Sequence, residues 1–225
     1  MSSVLDHNTP IAYLKGHQDF YGRDYIVTPD VLIPRPETEQ IIDAVLNLAG
    51  KSFLPGVKPN KRSLPNNPKI VDVGTGSGCI AITIKKEFPE AEVTAVDISR
   101  PALKIAQKNA KKHSASISFI ISNLLENVKF TPNLVVANLP YVDKNWDWLN
   151  LADLSHEPEI ALFADDHGLL LIKRLIKQAA QKGVKYLILE ADPSQHTEIQ
   201  KYAESNNYQL QKTRGFILSL YNPQA

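Results

Sequence analysis

The 225-residue chain is poor in the residues that crosslink a fold or hold a metal: it has one cysteine, Cys79, and its six histidines show no paired metal-ligand spacing. An intramolecular disulfide and a cysteine-rich zinc site are excluded, no metal is expected, and a reducing, cytoplasmic setting fits best. Long apolar runs are also missing. The longest, such as Leu169 to Ile172 and Tyr186 to Leu189, fall far short of the roughly 20 residues a membrane span requires, and no basic-then-apolar leader opens the chain. A soluble, unexported protein without membrane association is the expectation. Charge of one sign is not in excess either, with Lys plus Arg 25 against Asp plus Glu 24. The overall field therefore does not steer the molecule to nucleic acid or an anionic membrane, and any basic surface must be local. What is present is 43% hydrophobic and 22% charged residues, a globular balance that rules out general disorder. The length suits one large α/β domain.

From about residue 70 strand-like and helix-like segments alternate, the pattern of a mostly parallel sheet covered by helices. Lys69–Val73, Glu92–Asp97, Ile117–Ile121, Asn133–Ala137 and Val184–Glu190 are apolar or β-branched runs bounded by turn residues, as strands buried on both faces require. Cys79–Glu87 reads as a helix. Ser99 is placed to cap another in which Leu103, Ala106 and Ala110 share a face. Gly168–Lys182 reads as a long helix stopped by Gly183, and a further helix follows Pro193. Tyr208–Gln211 and Phe216–Tyr221 are expected to close the chain as a hairpin around a tight Lys212–Gly215 turn. Residues 1–35 read as a lead-in with a small β-hairpin near Phe20–Val27, ahead of a single domain over 36–225. Pro36 suits the first turn of a helix that buries Ile41, Ile42, Val45 and Leu46 and ends at Gly50. Residues 51–69 hold four prolines and no acidic residue. They are expected to form an exposed basic loop, either a solvated connector or a contact for RNA or an acidic protein.

Three motifs carry chemistry. Val71-Asp72-Val73 runs straight into Gly74-Thr75-Gly76-Ser77-Gly78 and then a helix. Glycines at alternate positions admit a ligand close to the main chain, and the helix start offers free N–H groups to an anionic group. The spacing departs from the dinucleotide fingerprint and also suits a tight strand-to-helix connection. Asp97, ending the next strand about 20 residues on, is placed to accept ribose hydroxyls, or else to cap the helix near Ser99. Together these point to a nucleoside cofactor. Asn138-Leu139-Pro140-Tyr141 follows the fourth strand, at the sheet edge where ligands bind. An Asn carbonyl beside a backbone carbonyl accepts both hydrogens of a planar NH2 group, while Pro fixes the backbone and Tyr supplies a flat surface. The same residues also suit a plain turn.

In this order and spacing the motifs resemble class I S-adenosylmethionine-dependent methyltransferases, and more narrowly the protein N5-glutamine methyltransferases that modify peptide chain release factors. Ile33-Pro34-Arg35-Pro36-Glu37-Thr38-Glu39 is the most specific marker. Further matches are the Pro10–Gly22 lead-in, Asp97-Ile98-Ser99, Glu157-Pro158, Ala161-Leu162, Asp166-His167-Gly168, and Glu190 with Gln195. The resemblance implies a doubly wound, Rossmann-like α/β fold with a mostly parallel seven-stranded sheet and a reversed last strand. It implies S-adenosylmethionine held by Gly74, Thr75, Gly76, Ser77, Gly78 and Asp97, with Asn123, Leu124, Asn138 and Phe20 beside it. Asn138, Leu139, Pro140, Tyr141 and Arg35 would hold the substrate glutamine, Asn138, Pro140 and Tyr141 being the catalytic set, with Phe20, Tyr21 and Arg35 lining the site from the lead-in. Transfer would be a direct displacement needing neither metal nor a general base, and the enzyme is expected to be a monomer.

The chain departs from the family pattern at three points. Leu139 stands where the family has a first proline, a form familiar from adenine-N6 methyltransferases. Asn123 replaces an acidic residue near the cofactor adenine. The sequence begins just where the family's N-terminal helical domain, which helps grip the release factor, would end. Leu139, the basic loop and the Trp146, Trp148 pair keep open a methyltransferase acting on adenine in RNA or DNA. A cofactor-binding scaffold without catalysis is the other alternative.

Overall fold

The computed structural model describes residues 9–51, 63–147 and 154–225. Its centre is a seven-stranded sheet in the order β5-β4-β3-β6-β7-β9-β8. The strands are β3 (Lys69–Val73), β4 (Glu92–Asp97), β5 (Ser118–Ile121), β6 (Leu134–Ala137), β7 (Tyr186–Glu190), β8 (Gln209–Arg214) and β9 (Ile217–Tyr221). β3 to β7 pair in parallel, and β9 runs antiparallel to both β7 and β8.

Alternation explains why both faces are covered. Ile70, Leu134, Val136 and Ile188 enter one core, with α2 (Glu39–Leu48), α3 (Cys79–Glu87) and Ala110 of α4 (Arg100–Lys112). Val71, Val135, Leu187 and Leu189 enter the other, with α5 (Leu170–Gln181) and α6 (His196–Glu204). Successive strand residues point to opposite faces, so a continuous apolar run is what a doubly covered strand must have. The edge strand β8, with no sheet neighbour beyond it, is correspondingly polar and mostly exposed.

α4 begins as expected, with Ser99 Oγ accepting from the Ala102 backbone N–H at 3.2 Å. The closing hairpin differs from expectation: β8 continues through Arg214 and the chain turns at Gly215-Phe216. Gly215 takes φ 54°, and it supplies the left-handed residue that the turn needs. The segment after residue 51 differs too, since Leu64 is buried and the Ser63 and Leu64 amides both donate to Leu48 O. Residues 52–62 of the expected basic loop lie outside the described residues.

At the N-terminus a short helix α1 (Ile11–Lys15), not foreseen from the sequence, precedes the hairpin β1 (His17–Phe20) and β2 (Arg23–Ile26). Val27, Val31 and Ile33, following the hairpin, pack on Ala102 and Ile105 of α4. No helix among the described residues is long and apolar enough to cross a membrane.

From β3 the chain winds outward through β4 and β5, then returns to the other side of β3 as β6. Strand order reverses there, and the loops leaving β3 and β6 diverge over a crevice at the carboxyl ends of the strands.

Candidate active site

The loop after β3 is fixed from beneath. Asp72 is fully buried, and its Oδ2 accepts from the Thr75 hydroxyl at 2.6 Å and the Ala81 amide at 3.2 Å. Burial, only partly offset by those two hydrogen bonds, pushes its carboxyl up to about 7. Above it, the Gly74 and Thr75 amides donate to Val96 O. The Gly76 amide donates to Asp97 Oδ2 at 2.9 Å, and the Ser99 amide to Asp97 Oδ1 at 2.8 Å. Asp97 thus steadies the start of α4 and lines the cavity over Gly76.

Two glycines here have different reasons to be glycine. A Cβ on Gly74 would stand 3.0 Å from Leu139 Cδ2, so the loops after β3 and β6 touch at that point. A Cβ on Gly78 would meet Ala106 Cβ at 3.0 Å and its Cα at 3.2 Å. Gly78 was expected to hold the cofactor, and its place is instead the contact of α3 with α4.

A cavity of about 310 Å³ opens over this turn. Its wall includes Gly74, Thr75, Gly76, Ser77, Asp97, Asn123 and Leu124, with Asn138, Leu139 and Pro140 across from them. Arg35 and Thr38 reach it from the segment before α2. Phe20 and Tyr21 do not. Phe20 is buried in the core against Tyr25, edge-to-face at 6.1 Å, because the hairpin turns that strand position toward α2 and α3. Tyr21 is held by Glu39, which accepts from its amide at 2.6 Å, and by Asp43, which accepts from its hydroxyl. The lead-in contributes Val31, Leu32 and Pro34 to the cavity instead.

A second cavity, of about 460 Å³, shares Leu32, Arg35, Asn138, Leu139 and Ala161 with the first. Tyr141, Trp146, Glu190, Asp192 and Phe216 are also in its wall. Trp148 lies outside the described residues. Asn138 therefore stands at the junction of two chambers.

Its carboxamide is oriented. Nδ2 donates to Thr38 Oγ1 at 3.1 Å, and Oδ1 accepts no hydrogen bond among the described residues. The carbonyls of Leu139 and Pro140 likewise accept none among them. Tyr141 leans the other way, its hydroxyl donating to Glu190 Oε1 at 3.3 Å. Its main chain is locked by Gln195, whose Nε2 donates to both Tyr141 O and His167 O at 2.8 Å. Asp166, His167 and Gly168 all have positive φ, and a Cβ at Gly168 would come within 1.9 Å of Tyr141 O. Only glycine fits there.

Arg35 is tied to Glu157, which is buried and also accepts from the Ile33 amide at 3.1 Å. Arg174, on the far wall of the first cavity, lies 3.6 Å from Glu126. Each guanidinium in that wall thus has a carboxylate, and the acidic groups there, Asp30 and Asp97, balance toward a cationic guest.

Sequence reasoning assigned no role to Thr38, Asn109 or Gly168. Asn109, fully buried in α4, donates to Ser77 O at 2.8 Å and Ile26 O at 2.9 Å and accepts from the Ile26 amide at 2.8 Å. It ties the glycine turn to the hairpin. Mid-helix Asn is a weak helix former, and that conflict with the surrounding pattern was the available signal.

A sheet in this order, opening at its switch point onto a glycine turn, is the architecture of the class I methyltransferases. Residues 53–154 match the family model described as Methyltransferase small domain. A release factor glutamine methyltransferase of Koribacter versatilis is 45% identical over 175 residues, covering 76% of this chain and 58% of that protein. Another, of Flavobacterium psychrophilum, is 37% identical over 224 residues, covering 97% of this chain and 70% of that protein. Among solved structures, a Thermus thermophilus 16S rRNA N2 G1207 methyltransferase in complex with AdoMet and guanosine superposes with a TM-score of 0.62 at 15% identity, over 92% of this chain and 49% of that one. The chain belongs to the release factor glutamine methyltransferase family, and it spans 58% and 70% of the length of the two relatives just described.

S-adenosylmethionine fits the first cavity on the residues present. The turn at Gly76 leaves open space where a side chain would be, and Asp97 carries lone pairs for hydroxyl groups beyond its two backbone bonds. Asn123, Ile98 and Leu124 also line this cavity, and the wall's charge suits a sulfonium.

Proposed function

We propose that this protein methylates the side-chain amide nitrogen of a glutamine in a peptide chain release factor, acting as a monomer in the cytoplasm. The observation that carries the reading is the bound state of Asn138. With Nδ2 committed to Thr38, its exposed face is purely an acceptor, adjoined by the Leu139 and Pro140 carbonyls. That arrangement takes an NH2 donor. The bound cofactor supplies an electrophilic methyl group on a sulfonium. The chain's own residues supply placement: Asn138 Oδ1 and a neighbouring carbonyl take the two amide hydrogens, and Tyr141 backs the amide plane. The junction's location between the two cavities supports entry of cofactor and glutamine from separate sides. Apolar Leu32, Leu139 and Ala161, shared by the cavities, limit water there.

An exocyclic adenine amine presents the same NH2 geometry, and Trp146 in the second cavity favours that second reading. Incubation with methyl-labelled S-adenosylmethionine and, separately, release factor or ribosomal RNA decides between them. Label in the release factor, lost in Asn138→Ala and lost when the target glutamine is replaced, is the expected result. Label confined to RNA would transfer the protein to the second reading.

A further inference from the structure

Glu190 ends β7 beneath the Asn138 loop, 2% exposed, and the mechanism above makes no use of it. Its Oε1 accepts from Tyr141, and the Thr38 hydroxyl and Asn138 amide also face its carboxylate and favour its charge. Its Oε2 is buried with no partner among the described residues. An ionised carboxylate has only lone pairs to offer, so the Thr38 hydroxyl facing it turns its hydrogen that way. The Thr38 oxygen then has lone pairs left, and it accepts from Asn138 Nδ2 at 3.1 Å. With the opposite amide orientation, Asn138 Oδ1 would face the Thr38 lone pairs and the Glu190 charge together. The direction of the whole chain of hydrogen bonds is thus set at its buried end.

We propose that Glu190 is the positioning residue of the acceptor site, holding Asn138 through Thr38 with Oδ1 turned to the cavity and anchoring the Tyr141 ring directly. This inference rests on the glutamine reading for its catalytic consequence, but not for its structural one. A protonated Glu190 has a hydrogen of its own to give. Thr38 is then free to accept from it and donate to Asn138 Oδ1, which withdraws the acceptor from the cavity.

The groups around Glu190 make that titration accessible. Burial, and less strongly Glu37 on the turn before α2, raise its pKa, the hydrogen bonding from Thr38, Tyr141 and Asn138 opposes the rise, and the net is about 7. Asp192, just beyond β7, shares the second cavity with it, as does Arg35, which is paired with Glu157. The Cys79 thiol, itself pushed up to about 12 by burial, stays neutral and does not compete.

The test uses the full chain labelled with [15N]asparagine and followed by NMR from pH 5 to 9. The side-chain NH2 pair of Asn138, identified by its loss in Asn138→Ala, should move with a midpoint near 7 and stay still in Glu190→Gln. In methyl transfer to the release factor, kcat should fall about tenfold per pH unit below that midpoint in the parent. It should be about 100-fold lower and nearly flat in Glu190→Gln, with cofactor affinity within about threefold. Thr38→Val should lower kcat at least tenfold and Thr38→Ser restore most of it, a rescue that a purely packing role for this position would not give. An Asn138 pair that ignores pH in the parent, or titrates equally in Glu190→Gln, overturns the inference, as does full activity in Thr38→Val. If the parent methylates no release factor, the glutamine reading fails while the NMR arm still decides this one.

Discussion

At Asn138 the two ends of one carboxamide do different work: the nitrogen is held by the protein and the oxygen is left for a guest. Truncation to alanine removes the guest's acceptor and orphans nothing buried except the Thr38 oxygen. We expect Asn138→Ala to lower kcat about 100-fold while the dissociation constant for S-adenosylmethionine, read by calorimetry, changes a few-fold. Gly168 shows the opposite type of dependence. It touches no guest, but a methyl group there would collide with Tyr141 O and the backbone would have to leave its left-handed φ of 81°. Gly168→Ala should cost about 1–3 kcal/mol of stability in denaturant unfolding and reduce kcat as the Tyr141 loop shifts. The residues with a local reason to exist were legible in the sequence: the glycine turn, Asp97 at a strand end, Asn138 to Tyr141 after another. Thr38 and Gly168 lie within the sequence motifs but carry no local sign of a task, because their partners are far along the chain. Thr38 meets Asn138 across 100 residues. Phe20 was misplaced for a related reason: an aromatic beside a site and an aromatic in the core under it look alike until the hairpin's facing is known.

Among the elements, the parallel strands were the most legible, since a strand covered on both faces is apolar along most of its length. β3 and β4 fall on the expected residues, Lys69–Val73 and Glu92–Asp97. The sequence places the end of the hairpin's first strand three residues early, at Gln211 rather than Arg214, because β8, polar at an edge, carries no hydrophobic signal to mark its end. α1 was missed, as five residues give too little periodicity to register. α4 contains the element-scale device: Asn109 satisfies both backbone groups of Ile26 while its third bond holds Ser77. Asn109→Ala leaves three backbone groups without partners, so unfolding free energy should drop by about 2–4 kcal/mol. Because one of the three belongs to the glycine turn, affinity for S-adenosylmethionine should weaken in the same variant. An unchanged affinity alongside the lost stability would mean that the turn is held by Asp72 and Asp97 alone.

For the molecule as a whole, the balanced charge hides an unusual pH response. Asp72 loses its proton near 3.8 when unfolded but keeps it to about 7 when folded, burial being the main cause. Between those values the folded state binds the extra proton, so raising the pH favours the unfolded chain and stability declines, levelling off above about 7. Glu190 adds a decline of the same sign. Thermal unfolding followed from pH 5 to 8 should therefore give a melting temperature that falls with pH from these two groups, with a shallower fall in Asp72→Asn. Activity should run the other way through Glu190, so the fold is firmest where the enzyme is slowest. The contact between Leu139 and Gly74 has a consequence at the same scale. Leu139 belongs to the walls of both cavities and sits against the glycine turn that lines the first of them. Any guest that shifts it alters the neighbouring chamber, and two occupants coupled through one side chain influence each other reciprocally: on the proposed function, whatever factor the methyl donor contributes to the grip on glutamine, glutamine returns to the grip on the donor.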